Sequence, residues 1–260
     1  MTSKETLRQL NQLFGSYRAE WLKGKIFDFF AEPSYFTGLQ DNRPCVLEGG
    51  RGTGKTTVLR GLSYHGQYAL HGQDAAKLDA LDYIGIYHRV DTNHVRAFAG
   101  AGLEDEKWRP LFGHYFNLIF CREILKFIQW HARLAPDDEP LSAHACSLLS
   151  HALHISEEHD NVTSLATALE TSIYLFQAHI NNIGDAGIPS PHLSMFGDPI
   201  KIITEHALAL SQFRNKMFFF LLDEYENFTD YQQQMVNTAI KHNTTSYTFK
   251  IGVRELGWRI

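Results

Sequence analysis

The stretch Leu47-Glu48-Gly49-Gly50-Arg51-Gly52-Thr53-Gly54-Lys55-Thr56-Thr57 decides how the chain is read. Four residues separate Gly49 from Gly54, and Lys55 and Thr56 follow at once, which is the pattern of a phosphate-binding loop. Gly49, Gly52 and Gly54 allow positive φ and close backbone approach, so successive N–H groups from Gly49 through Thr57 can form a nest around an anion. That nest includes Gly50, Arg51 and Thr53. Lys55 adds a mobile charge for the β and γ phosphates, Thr56 a hydroxyl for Mg²⁺, and a helix starting near Gly54 would point its positive end at the same place.

The flanks agree with this reading. Pro44-Cys45-Val46-Leu47 is a short apolar segment that reads as a buried strand, and Thr57 to Leu62 reads as the start of a helix. Strand, glycine loop and helix come in the order the motif requires. A glycine-rich surface turn that happens to carry a lysine is the bland alternative.

A second stretch completes the first. Met217-Phe218-Phe219-Phe220-Leu221-Leu222-Asp223-Glu224 is an unbroken apolar run ending in two acids, as expected of a central strand buried on both faces. Beside the phosphate loop in a parallel sheet, Asp223 would hold Mg²⁺ and Glu224 would polarise the attacking water. Alone, such a run can be a strand ending in a charged turn.

Tyr83 to Asp91 reads as a further strand, and Asp91, Thr92 and Asn93 at its end fit either a site near the nucleotide or a polar turn. Tyr247 to Arg254 reads as another. Its end delivers Arg254 and Glu255, and Arg254 fits three roles: a γ-phosphate sensor, an arginine finger across an interface, or a partner in an ion pair with Glu255 or a nearby acid.

The rest of the chain is read more coarsely. Residues 4–14 have the spacing of an amphipathic helix, and the aromatics between Tyr17 and Leu39 suit core packing better than an adenine pocket. Asp74 to Asp82 reads as a short helix. Glycines at 100, 102 and 113 with Pro110 predict a loop over 97–113, and residues 114–182 a mainly helical insert broken near Pro136 and Pro140. His144, His151 and His154 would share a helix face with Cys146 pointing away, which favours ordinary helix surface over zinc.

Composition limits the function classes. The chain has 260 residues, is 44% hydrophobic and carries a formal charge of -5, with no basic excess to signal nucleic acid. Nucleic-acid binding stays open through a local patch. Cys45, Cys121 and Cys146 are scattered without paired spacing, which reads as a reducing, cytoplasmic setting; no run is long enough to cross a bilayer.

With both stretches in hand, the chain resembles the AAA+ group of P-loop ATPases. Within it, the run from Arg43 to Leu62 and the strand Phe249 to Glu255 look similar to bacterial ATPases of the origin-recognition type, some of them linked to anti-phage defence. The resemblance implies an α/β fold, a three-layer P-loop core with a parallel sheet. It implies ATP and Mg²⁺ as cofactors and a homo-oligomer or protein complex as the working form; the short apolar runs already speak for no membrane. It gives Lys55 the β and γ phosphates, Thr56 and Asp223 the metal, and Glu224 the role of hydrolytic base. The group places a polar γ-phosphate sensor on the strand after the acids; Arg254 is the nearest candidate here, and Thr248 is less well placed. The group also has a fifth strand and a helical lid, whereas this sequence ends at Ile260, so it reads as an N-terminal portion of a longer protein or a short member lacking the C-terminal lid. The expected organisation is an N-terminal segment 1–42, a first core part 43–113, a helical insert 114–199 and a second core part 200–260. An Mg-dependent ATPase driving a conformational or assembly change is the leading function. A nucleotide-gated scaffold with slow hydrolysis and a small-molecule phosphotransferase are the alternatives.

Overall fold

The computed structural model describes residues 26–28, 30–183, 190–241, 245–255 and 257. The amphipathic segment expected over residues 4–14 lies outside these. Four strands, β1 (Cys45–Glu48), β2 (Tyr83–Arg89), β3 (Met217–Asp223) and β4 (Tyr247–Val253), form one sheet in the order β1-β4-β3-β2, with every neighbouring pair parallel. All four strands therefore end on the same edge, where ligands collect in open α/β sheets.

The apolar run of β3 is buried because helices cover both sheet faces. Phe218, Phe220 and Leu222 face one cluster; Phe219 and Leu221 face the other, as the two-residue period of a strand demands. On the second face α1 (Lys55–Leu62) packs Val58, Leu59 and Leu62 against Phe219, Leu221 and Tyr83. Phe36 and Leu39 belong to this cluster, so Phe36 serves the core, as the sequence favoured. Short helices α2 (Tyr64–Leu70) and α3 (Ala75–Asp79) lead on from α1 to β2, and α4 (Thr92–Arg96) follows β2, capped by Asp91, which accepts from the Asn93 and His94 N–H groups.

The first face is covered by α5 (Asp105–Leu134), with α6 (Ala143–Ala152), α7 (Val162–Asn181), α8 (Asp198–Ala209) and α9 (Asp230–Lys241) around it. Phe120 of α5 meets Phe220 of β3 with ring centroids 4.8 Å apart. The helices within 114–199 thus share a hydrophobic cluster with the sheet.

Two local readings are corrected. The loop expected over 97–113 ends at Glu104, because α5 starts at Asp105 and runs through Pro110 and Gly113. Pro110 costs α5 one early hydrogen bond, while Trp108, Leu111 and Phe112 beside it bury almost completely; packing outweighs the local break signal. Gly113 lets the helix approach the loop after residue 190, since a Cβ there would sit 3.2 Å from the Phe196 Cβ. Second, β1 is half exposed, with Val46 at 46%, because it lies at the edge of the described strands and pairs with β4 only.

Lys250 is buried at 1% exposure in β4. Its Nζ donates to the Asp41 and Arg43 carbonyls at 2.5 and 2.6 Å and sits 4.7 Å from the centre of the Phe219 ring. The chain entering β1, and through it the phosphate loop, is tied to the central sheet by this side chain. Burial lowers its pKa.

Candidate nucleotide site

At the edge where the strands end, the loop between β1 and α1 curls over the sheet. Gly52 and Gly54 take φ of 81° and 87°, and added Cβ atoms at both would meet nothing within 4 Å. Glycine is present there for the left-handed backbone rather than for space. Gly54 is the N-cap of α1, whose first helical bond runs from the Val58 N–H to the Gly54 carbonyl at 2.9 Å. The N–H groups of Lys55, Thr56 and Thr57 precede that bond and have no partner inside the helix, so they can take an anion.

Lys55 Nζ donates to the Gly49 carbonyl at 2.6 Å and the Gly50 carbonyl at 2.8 Å, and Thr53 Oγ1 donates to the Gly50 carbonyl at 3.0 Å. The lysine is folded onto its own loop, held by neutral acceptors that a phosphate would replace with stronger charge-assisted bonds.

Asp223 and Glu224 are held differently. Asp223 is 3% exposed; its Oδ2 accepts from Tyr87 Oη at 2.9 Å and its Oδ1 from the Glu224 N–H at 3.0 Å. Burial and the nearby carboxylate push the Tyr87 hydroxyl far above the ordinary phenol range, so it stays a proton donor to Asp223. The Arg60 guanidinium lies 5.3 Å from the centre of the Tyr87 ring. Glu224 has left the strand, with φ of 58°, and its carboxylate forms a two-pronged pair with Arg89: Nε to Oε2 at 3.0 Å and Nη2 to Oε1 at 3.1 Å. Asn227 Nδ2 donates to the same Oε2 at 3.1 Å. The expected base is thus occupied on both oxygens.

A cavity of about 380 Å³ brings these groups together. Of the residues proposed from sequence, Arg51, Gly52, Thr53, Gly54, Lys55, Thr56, Thr57, Asp223, Glu224 and Arg254 line it. Gly49 and Gly50 sit behind it as acceptors for Lys55. Thr248 lies far from this edge at the start of β4, opposite Phe219, with its hydroxyl buried and unpartnered in the described structure. Arg254 pairs with Glu226, Nε to Oε1 at 2.8 Å, rather than with Glu255.

Of the three polar residues read at the end of β2, Thr92 lines the cavity, whereas Arg89, Glu226 and Asn227, which also line it, and Tyr87, which holds Asp223, were not singled out in the sequence. For Arg89 a signal existed, since it ends a strand whose C-terminus was already expected at the ligand edge. Tyr87 and Glu226 had none, because only the sheet order and the backbone turn after Asp223 bring them to the acids.

The donor set fits a divalent cation: a threonine hydroxyl and a buried carboxylate beside an anion nest are hard oxygen ligands suited to Mg²⁺. Among the described residues the histidines form no metal-binding cluster. His154 lies beyond α6 at φ of 56°, His151 is 3.5 Å from Glu158, and Cys146 is buried away from them. Nor is any described helix long and apolar enough to cross a membrane.

Comparison with known proteins agrees with the geometry. Searches of curated proteins and of solved structures return no match. A scan of family models matches residues 12–260 to the family described as ORC-CDC6-like, whose members are nucleotide-binding AAA+ proteins. By this match across nearly its whole length, the chain belongs to the ORC-CDC6-like family.

Proposed function

We propose that the protein is an Mg-dependent ATPase whose hydrolysis drives a conformational or assembly change in a larger complex. The observation that carries this reading is the single cavity in which the phosphate loop, Asp223, Glu224 and Arg254 meet, supplied by the ends of β1, β3 and β4. Backbone N–H groups of residues 52–57 bind the phosphates, and Lys55 exchanges its loop carbonyls for the β and γ oxygens. Thr56 and Asp223 are the residues that would hold Mg²⁺. When bound, the metal neutralises charge developing on the phosphate oxygens. Tyr87 keeps Asp223 in place by its hydrogen bond. Glu224 accepts the proton of the attacking water once its carboxylate is free of Arg89.

The Arg89–Glu224 pair supports a second reading, a nucleotide-gated scaffold that hydrolyses slowly until a partner displaces Arg89. By the sequence resemblance, either form would work in a complex, and some relatives of that type serve anti-phage defence.

Measuring Mg-ATP hydrolysis across protein concentration, with Lys55→Ala and Glu224→Gln as controls, separates these. Turnover that vanishes in both variants supports the ATPase. Tight ATP binding with no turnover at any concentration supports the scaffold, and no binding by the unaltered protein removes both.

A further inference from the structure

The chain leaving β4 is fastened to the exit of β3 by one carboxylate. Glu226 Oε1 lies 2.8 Å from Arg254 Nε, and Glu226 Oε2 accepts from the Arg254 backbone N–H at 3.3 Å. Both oxygens therefore serve the same residue. The Gly257 N–H closes a turn onto the Arg254 carbonyl at 2.8 Å, and a Cβ at 257 would come within 2.7 Å of the Glu226 Cβ, so the turn is pressed onto Glu226. Gln233 Nε2 donates to the Gly257 carbonyl at 3.3 Å and braces it from α9.

How Glu226 holds the arginine matters. Its side chain is 14% exposed, against 52% for Arg254, so the anchor is sheltered while the guanidinium reaches the cavity. The ion pair engages Nε. An end-on pairing would consume the fork of terminal amines that matches phosphate oxygens, whereas the contact at Nε leaves that fork to other partners. The strand register sets its place: Val253 is opposite Glu48, and its carbonyl accepts from the Gly49 N–H at 3.3 Å, so Arg254 emerges directly beside the phosphate loop.

We infer that Glu226 is a positioning residue that holds the Arg254 guanidinium where its terminal amines meet the γ-phosphate of bound ATP. This rests on the ATP reading of the cavity. The residue senses the third phosphate through Arg254 and touches no nucleotide itself.

The test compares the affinities of a non-hydrolysable β,γ-imido ATP analogue and of ADP, both with Mg²⁺, in the full chain and in Arg254→Ala, Glu226→Gln and the double variant. A lost charge-assisted contact predicts that Arg254→Ala reduces the preference for the analogue by about tenfold or more while ADP affinity holds. Glu226→Gln is expected to lose a comparable share, and the double variant no more than Arg254→Ala alone. Full preference in Glu226→Gln, or losses that add in the double variant, overturns the inference. If the unaltered protein binds both nucleotides and Arg254→Ala changes nothing, the ATP reading stands and the inference falls; if it binds neither, both fall. Should Glu226→Gln fail to fold, Glu226→Asp decides, because it keeps the charge but draws the carboxylate one methylene back from Arg254 Nε while leaving the arginine intact. It must then lose part of the preference, and full retention refutes the role of Glu226.

Discussion

Glu224 sits where two demands conflict. As the base proposed above it must be free to take a proton, yet both carboxylate oxygens are engaged by Arg89 and one also by Asn227. The pair is partly exposed, at 43% for the arginine and 25% for the glutamate, so its contribution to stability is small, about 0.2–1 kcal/mol. Arg89→Ala should therefore leave the melting temperature almost unchanged and raise basal ATP turnover several-fold; an equal or lower rate would show that Arg89 does not restrain the base. Glu224→Gln should keep ATP binding and lower turnover by about 10²–10⁴-fold, the usual contribution of a positioned base. Tyr87 acts one atom further out. Removing its hydroxyl in Tyr87→Phe leaves Asp223 Oδ2 short of a donor, and the Mg²⁺ concentration that half-saturates nucleotide binding should rise by about tenfold or more, as is common when a ligand's supporting hydrogen bond is lost. An unchanged Mg²⁺ titration would confine Tyr87 to packing.

Among the elements, the seam between β2 and α1 governs how firmly the phosphate loop is backed. At Gly85 in the middle of β2 an added Cβ would lie 2.1 Å from the Leu62 backbone carbonyl at the end of α1. A backbone atom cannot move aside as a side chain does, so Gly85→Ala must push strand and helix apart. Overpacking of this kind costs about 3 kcal/mol at the upper end of its usual range. A fall in melting temperature of roughly 6–12 °C is expected for a chain of this size, read by circular dichroism. Helix α5 shows the same dominance of packing over local preference: it continues through Pro110 while its apolar residues pack against the sheet and α7. In the sequence, Pro110 and Gly113 carried breaker signals that the burial of Trp108 and Phe112 outweighs, which is why this boundary was illegible.

For the molecule as a whole, His114 gives stability a pH dependence. It is 4% exposed, its Nδ1 accepts from the Ser194 N–H at 3.0 Å, and burial lowers its pKa to about 4. The unfolded chain takes up a proton near the ordinary histidine value of about 6.5, whereas the folded one resists down to about 4. The contribution is thus full above about 6.5 and lost as pH falls through that window, roughly 3 kcal/mol in all. Melting curves at pH 7.5 and 5 should differ, and His114→Gln should narrow the gap; an unaltered gap would assign it to other groups. The cavity also lies open at the sheet edge, with Arg51 and Arg254 exposed at its rim. If a neighbouring copy completes it, turnover per molecule should increase with protein concentration, and a flat profile would mean that one chain suffices.

Sequence alone determined the fold class and where the glycine loop and the acidic strand end fall, because each is written in contiguous residues: glycines where φ must be positive, a lysine and threonine at the helix start, and an apolar run long enough for a strand buried on both faces. Tertiary structure alone decided what those residues touch. Arg89 meets Glu224 because β2 lies beside β3, and Glu226 holds Arg254 because β4 lies on the other side of β3. Strand order is set by the packing of two hydrophobic clusters across the sheet, a property of distant residues acting together, and no local stretch of sequence encodes it.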